Sequence, residues 1–250
     1  MNSQNVLDYS VYSGSLEQFV DSVVVNITNN DSPTWLACIN PHSYVVALDD
    51  GEFSDALQGA DWLIPDGQGI VLASYLLGGG IDQRITGSDI FAAVNSKANE
   101  MGSLSVFFLG STPDCLEKIR VKMECDYPKI RFAGSYSPPF TQDYTVDELN
   151  AMVAAINLAK PDILWVGMTA PKQEKWIYQN FDKLDVRFAA AIGAVFDFYA
   201  GRIKRSHPVY QLLGLEWLPR LIQEPRRLWR RMFISAPIFL WHVYKSRLNK

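Results

Sequence analysis

Ser105-Val106-Phe107-Phe108-Leu109, then Gly110-Ser111-Thr112, then Pro113-Asp114-Cys115-Leu116, is the stretch that sets the fold class of this chain. The first five residues are almost wholly apolar and do not alternate, as expected of a strand buried on both faces. Gly-Ser-Thr interrupts the run. Pro113 then opens a segment, to Cys125, in which Leu116, Ile119 and Met123 recur at helical spacing. The same strand, turn and helix order repeats along the chain. Strands are expected at Thr34–Ile39, Trp62–Ile64, Ser105–Leu109, Ile130–Ala133, Ile163–Val166 and Phe188–Ile192. Helical patterns fall at Gly69–Leu77, Asp89–Glu100, Pro113–Cys125, Val146–Leu158 and Pro171–Phe181. This order predicts an α/β fold, a mostly parallel Rossmann-like sheet with helices on both faces. The strands end in Asn40-Pro41, Pro65-Asp66-Gly67, Gly110-Ser111, Gly134-Ser135, Gly167-Met168 and Gly193-Ala194, which would gather at the carboxyl edge where open α/β sheets bind ligands.

Charge divides the chain in two. Residues 202–250 carry eleven Lys and Arg against Glu216 and Glu224, a formal +9, whereas the whole chain of 250 residues is at −4. The reading is an α/β catalytic domain over 1–200 and a basic, aromatic appendage over 201–250 that meets something anionic. Arginines beside Trp217, Trp229, Phe233 and Trp241 suit phosphates at a membrane surface. The run from Met232 to Tyr244 contains Pro237 and is too short to span a bilayer, so it is expected to lie on the surface. No secretory signal is visible at the N-terminus. Cys38, Cys115 and Cys125 have no Cys-x-x-Cys spacing and read as free thiols in a reducing compartment.

Several motifs carry candidate chemistry. In Pro65-Asp66-Gly67-Gln68-Gly69 the glycines permit a tight turn and close backbone approach, and helix-start amides attract phosphate. Asp66 would stand beside a ligand, able to accept a proton; the same motif also reads as a turn with a helix-capping Asp. In Arg84-Ile85-Thr86-Gly87-Ser88-Asp89, Thr86 or Ser88 can cap a helix and Asp89 suits its first turn, while Arg84 can grip a diphosphate or be a plain surface arginine. Gly167-Met168-Thr169-Ala170-Pro171-Lys172-Gln173-Glu174 places Gln173 and Glu174 in the first turn of a helix, facing the same edge as Asp66, where an amide can bond a sugar hydroxyl or a base edge; the same stretch also reads as an ordinary strand–helix junction. Asp197, among Phe196, Phe198 and Tyr199, can orient a ligand or pair with a tail arginine, although an aromatic stripe commonly belongs to the core. Arg220, Arg227 and Arg230 are the tail candidates, Arg227 and Arg230 sharing a helical face.

Other chemistries lack their signatures. There is no H-E-x-x-H, no Cys/His cluster for zinc and no G-x-S-x-G elbow. Asp49-Asp50 reads as a solvated loop, and no metal is indicated. A nucleotide-dependent oxidoreductase would need G-x-G-x-x-G after a strand, which is not seen.

In this order and spacing, Asn40-Pro41, Pro65-Asp66-Gly67-Gln68-Gly69, Arg84 with Thr86–Asp89, Gly110, Ala170–Glu174, Gly193, Phe196–Phe198, Gly201 and Gly214–Arg227 resemble the WecG/TagA/CpsF glycosyltransferase family, from about Asn40 to Arg231. The resemblance implies inverting, metal-independent transfer of a sugar, such as N-acetylmannosamine or a uronic acid, from a UDP-sugar to a polyprenyl-diphosphate-linked acceptor in exopolysaccharide or teichoic acid synthesis. It implies Asp66 as general base, with Asn40 and Gln173 beside it in the catalytic centre. Gly67, Gly69, Arg84, Ser88, Asp89, Gly110, Lys172 and Asp197 would line the substrate site, and Arg220, Arg227 and Arg230 would reach the diphosphate. Cys38 stands where some members have threonine, and Ser206-His207 where many have Ala-Pro. The expected place is the cytoplasm, peripheral on the inner face of the cell membrane, with no nucleic-acid partner and no cofactor. Apolar surface around Leu76–Ile81 and in the tail fits either a homo-oligomer interface or lipid. The competing class is a non-catalytic module that binds anionic lipid or nucleotide; it accounts for the tail but not for the polar cluster along the sheet edge.

Overall fold

Apolar runs buried on both faces produce the expected sheet. A computed structural model describes residues 2–29, 31–203 and 229–248. Its central sheet contains β3 (Thr34–Ile39), β4 (Trp62–Pro65), β5 (Ser105–Gly110), β6 (Arg131–Tyr136), β7 (Ile163–Gly167) and β8 (Phe188–Ala191), all parallel, in the order β4-β3-β8-β7-β5-β6. The strand order reverses beside β3 and β8, so their carboxyl ends, with that of β7, open onto a crevice.

Alternate residues of each strand feed two cores. Trp35, Ala37, Leu63, Phe107, Leu164 and Ala189 face one helical layer; Leu36, Trp62, Ile64, Phe108, Trp165 and Phe188 face the other. The first layer holds α2 (Pro41–Asp49), α3 (Gly51–Gly59), α4 (Gln68–Leu76), α7 (Val146–Ala159) and α8 (Lys172–Asn180). The second holds α1 (Leu16–Asn29), α5 (Gly87–Met101), α6 (Pro113–Asp126) and α9 (Val195–Tyr199).

Some elements differ from the sequence reading. The hairpin of β1 (Ser3–Val6) and β2 (Tyr9–Tyr12) was not anticipated; β2 packs against β4, where Tyr12 meets Trp62 edge to face. β6 runs to Tyr136 and is half-exposed rather than buried on both faces, because it is the sheet edge. Asp49-Asp50 is not a loop: Asp49 ends α2, and Asp50 caps α3 by accepting from Phe53 N at 3.1 Å while pairing with Lys175 Nζ at 2.6 Å. Pro171 sits just before α8, at its cap, rather than as its first residue. Around Leu76–Ile81 the apolar surface is smaller than expected, since Ile81 is buried; Leu72 and Tyr75 are the exposed apolar residues of α4.

At the far end, a wide π-helical turn (Arg231–Ser235) leads into α10 (Ala236–Leu248). Phe239 and Val243 bury against α2 and α4 and complete the first core. Among the described residues no helix is long and apolar enough to cross a membrane. The hinge at Ser206-His207, together with Arg220 and Arg227, lies outside the described residues.

Candidate active site

The carboxyl ends of β3, β4, β7 and β8 form the floor of a cleft of about 760 Å³. Asn40 follows β3. Its Oδ1 accepts from His42 N and Ser43 N, both at 3.0 Å, and so caps α2. The cap occupies Oδ1, leaving the amide nitrogen to meet a ligand. Asp66 follows β4, and its backbone N–H donates to Ile39 O at 2.8 Å, which fixes the two strand ends side by side. Asp66 does not cap the next helix; that position is Gly67, whose φ of 118° suits glycine and which offers no side-chain bond. The half-buried Asp66 side chain lines the cleft beside Asn40 and Cys38. Burial pushes the Cys38 thiol well up, and the carboxylates of Asp66 and Glu174 add to the shift, so it remains a protonated thiol rather than a thiolate nucleophile.

Gln173 ties the opposite side of the floor. It is buried, and its Oε1 accepts from Met168 N at 3.2 Å and from Gly193 N at 3.0 Å, linking the ends of β7 and β8. Its Nε2 donates to Glu174 Oε1 at 2.9 Å. Lys172 reaches the cleft with its Nζ donating to Thr141 O at 2.5 Å and lying 3.6 Å over the Tyr144 ring. Desolvation lowers its pKa, opposed by Asp143 and Glu148. Thr86, Gly87 and Ser88 bring the start of α5 to the cleft. On the outer side Asp197 pairs with Arg202 Nη1 at 3.3 Å, and the same nitrogen donates to Thr112 Oγ1 at 3.3 Å.

Thus Asp66, Asn40, Gln173, Lys172, Ser88 and Asp197 converge on one cleft. Other candidates lie behind or beside it. Asp89 takes the Thr86 N–H at 3.0 Å and the Thr86 hydroxyl at 2.6 Å, a capping box that fixes the start of α5. At Gly110 φ is 117° and an added Cβ would lie 2.5 Å from Gly167 O, so this glycine allows β5 and β7 to close beneath the cleft. Gly69 has the same kind of role, a Cβ there meeting Pro41 Cγ at 2.3 Å. Neither they nor Gly67 and the half-buried Arg84 belong to the lining. Arg230 is exposed outside the cleft, and its neighbour Arg231 lines it instead. Arg231 went unselected because a spacing of three from Arg227 points to Arg230, whereas the wide turn that begins at Arg231 directs that residue inward. Glu174, expected with Gln173 in the first turn on this edge, is found there, buried on the cleft wall. Among the described residues no group of three His, Cys, Asp or Glu could hold a metal ion.

The sequence profile of the Glycosyl transferase WecG/TagA/CpsF family matches residues 4–250. The chain belongs to this glycosyltransferase family. Several curated relatives span nearly all of it. An N-acetylglucosaminyldiphosphoundecaprenol N-acetyl-beta-D-mannosaminyltransferase of Bacillus subtilis (strain 168) is 29% identical over 250 residues, covering 100% of this chain and 94% of the relative. A protein of the same description from Bacillus spizizenii is 30% identical, covering 96% and 90%. One from Staphylococcus aureus (strain MW2) is 26% identical, covering 97% and 92%. The competing readings as an oxidoreductase or a non-catalytic module give way to this glycosyltransferase identity.

Proposed function

We infer that this glycosyltransferase moves N-acetylmannosamine from UDP-N-acetylmannosamine to the N-acetylglucosamine of a polyprenyl-diphosphate-linked acceptor, with inversion and without a metal ion. The observation that carries the reading is the meeting of Asp66, Asn40 and Arg231 in one cleft at the carboxyl edge of the sheet. The relatives' described activity supports the sugar and the acceptor. A product of this kind belongs to cell-surface polymer synthesis, such as that of teichoic acid.

The chemistry follows from the side chains. Asp66 removes the proton of the acceptor hydroxyl as its oxygen attacks the anomeric carbon from the face opposite the nucleotide. The bond from that carbon to the diphosphate oxygen breaks, and UDP leaves with the electron pair. Arg231 and the amides at the start of α5, beside Gly87 and Ser88, are placed to offset the negative charge that grows on the diphosphate. The Asn40 amide and Lys172 position the sugars, while Gln173 holds the floor. Arg220 and Arg227 remain candidates for the acceptor diphosphate.

The C-terminal segment supports a position on the inner face of the membrane. Trp229 and Phe233 are 57% and 52% exposed with their rings stacked at 4.3 Å, and Trp241 is exposed on α10. Aromatics beside arginine suit an anionic lipid surface. The deciding experiment offers a panel of UDP-sugars, with and without EDTA, and a short-chain lipid-diphosphate-N-acetylglucosamine. The expected product is a β-linked N-acetylmannosaminyl disaccharide, formed equally with EDTA. No product from UDP-N-acetylmannosamine, or the opposite anomer, overturns the reading.

A further inference from the structure

Glu174 is a charged residue type in a place that suits a neutral one. It is 2% exposed in the first turn of α8, on the cleft wall. Its Oε1 accepts from Gln173 Nε2, and its Oε2 is buried with no hydrogen-bond partner among the described residues. A carboxylate met only by that amide and by its own backbone N–H is heavily penalised by burial. The cations of its own helix are engaged elsewhere. Lys175 pairs with Asp50 and Glu52 from the start of α3, at 2.6 and 3.2 Å, and Lys172 is held by Thr141 and the Tyr144 ring. Strand β8, packed beneath, has no titratable residue in Phe188–Ala191. From β3 and the end of β4 the titratable groups are Cys38 and Asp66, the thiol feeling both carboxylates. Arg231 lines the same cleft from the C-terminal segment.

We propose that Glu174 is a positioning residue that works as a neutral carboxylic acid, holding Gln173 across the ends of β7 and β8 and keeping a second negative charge off the cleft floor beside Asp66. Burial pushes its pKa up to about 7, against the lowering effects of the Gln173 bond and of its own backbone N–H, so the neutral form prevails in mildly acidic conditions and is lost as pH rises through that value. Once ionised, Glu174 and Asp66 flank Cys38 as two anions, and the floor repels a diphosphate. This rests on the reading above, in which the cleft takes a nucleotide diphosphate and Asp66 is the base.

Two measurements test it. In the ligand-free protein the carboxyl ¹³C resonance assigned to Glu174, missing in Glu174→Gln, is expected to titrate with a midpoint near 7; a midpoint near that of an ordinary glutamate, about 4.3, overturns the proposal whatever the substrate. Binding of UDP-N-acetylmannosamine, whose diphosphate diester keeps its charge across the range, is expected to weaken on the order of tenfold between about pH 6 and about pH 8.5 in the native chain, the scale of one added charge in a partly shielded cleft. Glu174→Gln, which keeps the acceptor for Gln173, should bind with the strength of the native protein at the acid end and stay flat. Glu174→Ala should be weak throughout. A Glu174→Gln profile that falls with pH as the native one does overturns the proposal. Because binding needs no turnover, failure of Asp66 as base would appear separately, as full activity of Asp66→Asn.

Discussion

The Nδ1 of His42 lies 2.9 Å from the hydroxyl of Ser235, joining the first turn of α2 to the last residue of the π-helical turn. A second bond of the same kind, Tyr44 Oη to His242 Nδ1 at 2.8 Å, lies along the same seam, and the Phe239 ring meets Tyr44 edge to face at 5.3 Å. Helix α2 begins at Asn40 on the cleft floor, and the π-helical turn begins at Arg231 on the cleft wall. The seam therefore sets the distance between two residues that line one cleft. Removing one neutral hydrogen bond costs about 1 kcal/mol, enough to lower the docked population roughly fivefold where docking is marginal. His42→Ala and Ser235→Ala are expected to lower kcat/KM by about that factor and to speed proteolysis within residues 229–248. The melting of the sheet domain should be unchanged.

Asp66→Asn removes the proposed base while keeping the shape and the backbone bond to Ile39 O. General-base catalysis contributes about 10²–10⁴-fold, and a loss of that size is expected in kcat with donor binding retained. Turnover at the native rate would show that another group takes the acceptor proton.

The residues that were legible share a physical reason. Strands β3, β5, β7 and β8 are buried on both faces, so their apolar runs are continuous. The segments that follow β3, β4 and β7 carry Asn40, Asp66 and Gln173, and in a parallel sheet strand ends must share an edge; convergence on the cleft was therefore readable from order alone. Hairpin β1–β2 was not, since Ser3–Val6 and Tyr9–Tyr12 are short and partly polar. In α1 the run Val23-Val24-Val25 favours strand by propensity, and burial of Phe19, Val20, Val23, Val24 and Ile27 on one face overrides it. Asp50 looked solvated because its partner Lys175 lies far away in sequence.

Stability should depend on pH through Glu174. Its ordinary value is 4.5 and its folded value about 7. Between these the unfolded chain releases the proton while the folded protein keeps it, so stability falls as pH rises across that window and levels off above it. At 1.36 kcal/mol per unit the loss is about 3 kcal/mol at most. Glu174→Gln removes this dependence. Its Tm, measured relative to the native chain, is expected to rise steadily from about pH 5 to about pH 8; a constant difference would mean that the carboxyl is ionised in the fold throughout.

Gly110→Ala tests the closure beneath the cleft. The added Cβ would stand 2.5 Å from a backbone oxygen that cannot move alone, at a φ of 117° that side-chain-bearing residues avoid. Strain and overpacking together are expected to cost about 2–4 kcal/mol in chemical denaturation. Gly51→Ala, where nothing lies within 4 Å of the new atom, is the matched control and should cost little.

Truncation after Ile203 separates folding from catalysis. Among the described residues beyond that point, only Phe239 and Val243 enter the two core clusters, both in the first. The sheet, its helices, the bond from the Asp66 N–H to Ile39 O and the described side-chain bonds of Asn40 and Gln173 come from the retained chain, whereas Arg231 is lost. The truncated protein is expected to unfold cooperatively with helix and strand content intact. Transfer to the lipid acceptor should vanish, because the cleft has lost the guanidinium offered to the diphosphate. Phe239→Ala should approach the truncation: a large buried ring removed from a seam with Tyr44 costs about 3–5 kcal/mol of docking, more than a marginal seam can carry, so α10 is detached nearly all the time and little activity is left. If the truncated chain transferred sugar as well as the full chain, Arg231 would not serve the reaction, and the charge on the departing nucleotide would have to be met from the sheet edge alone.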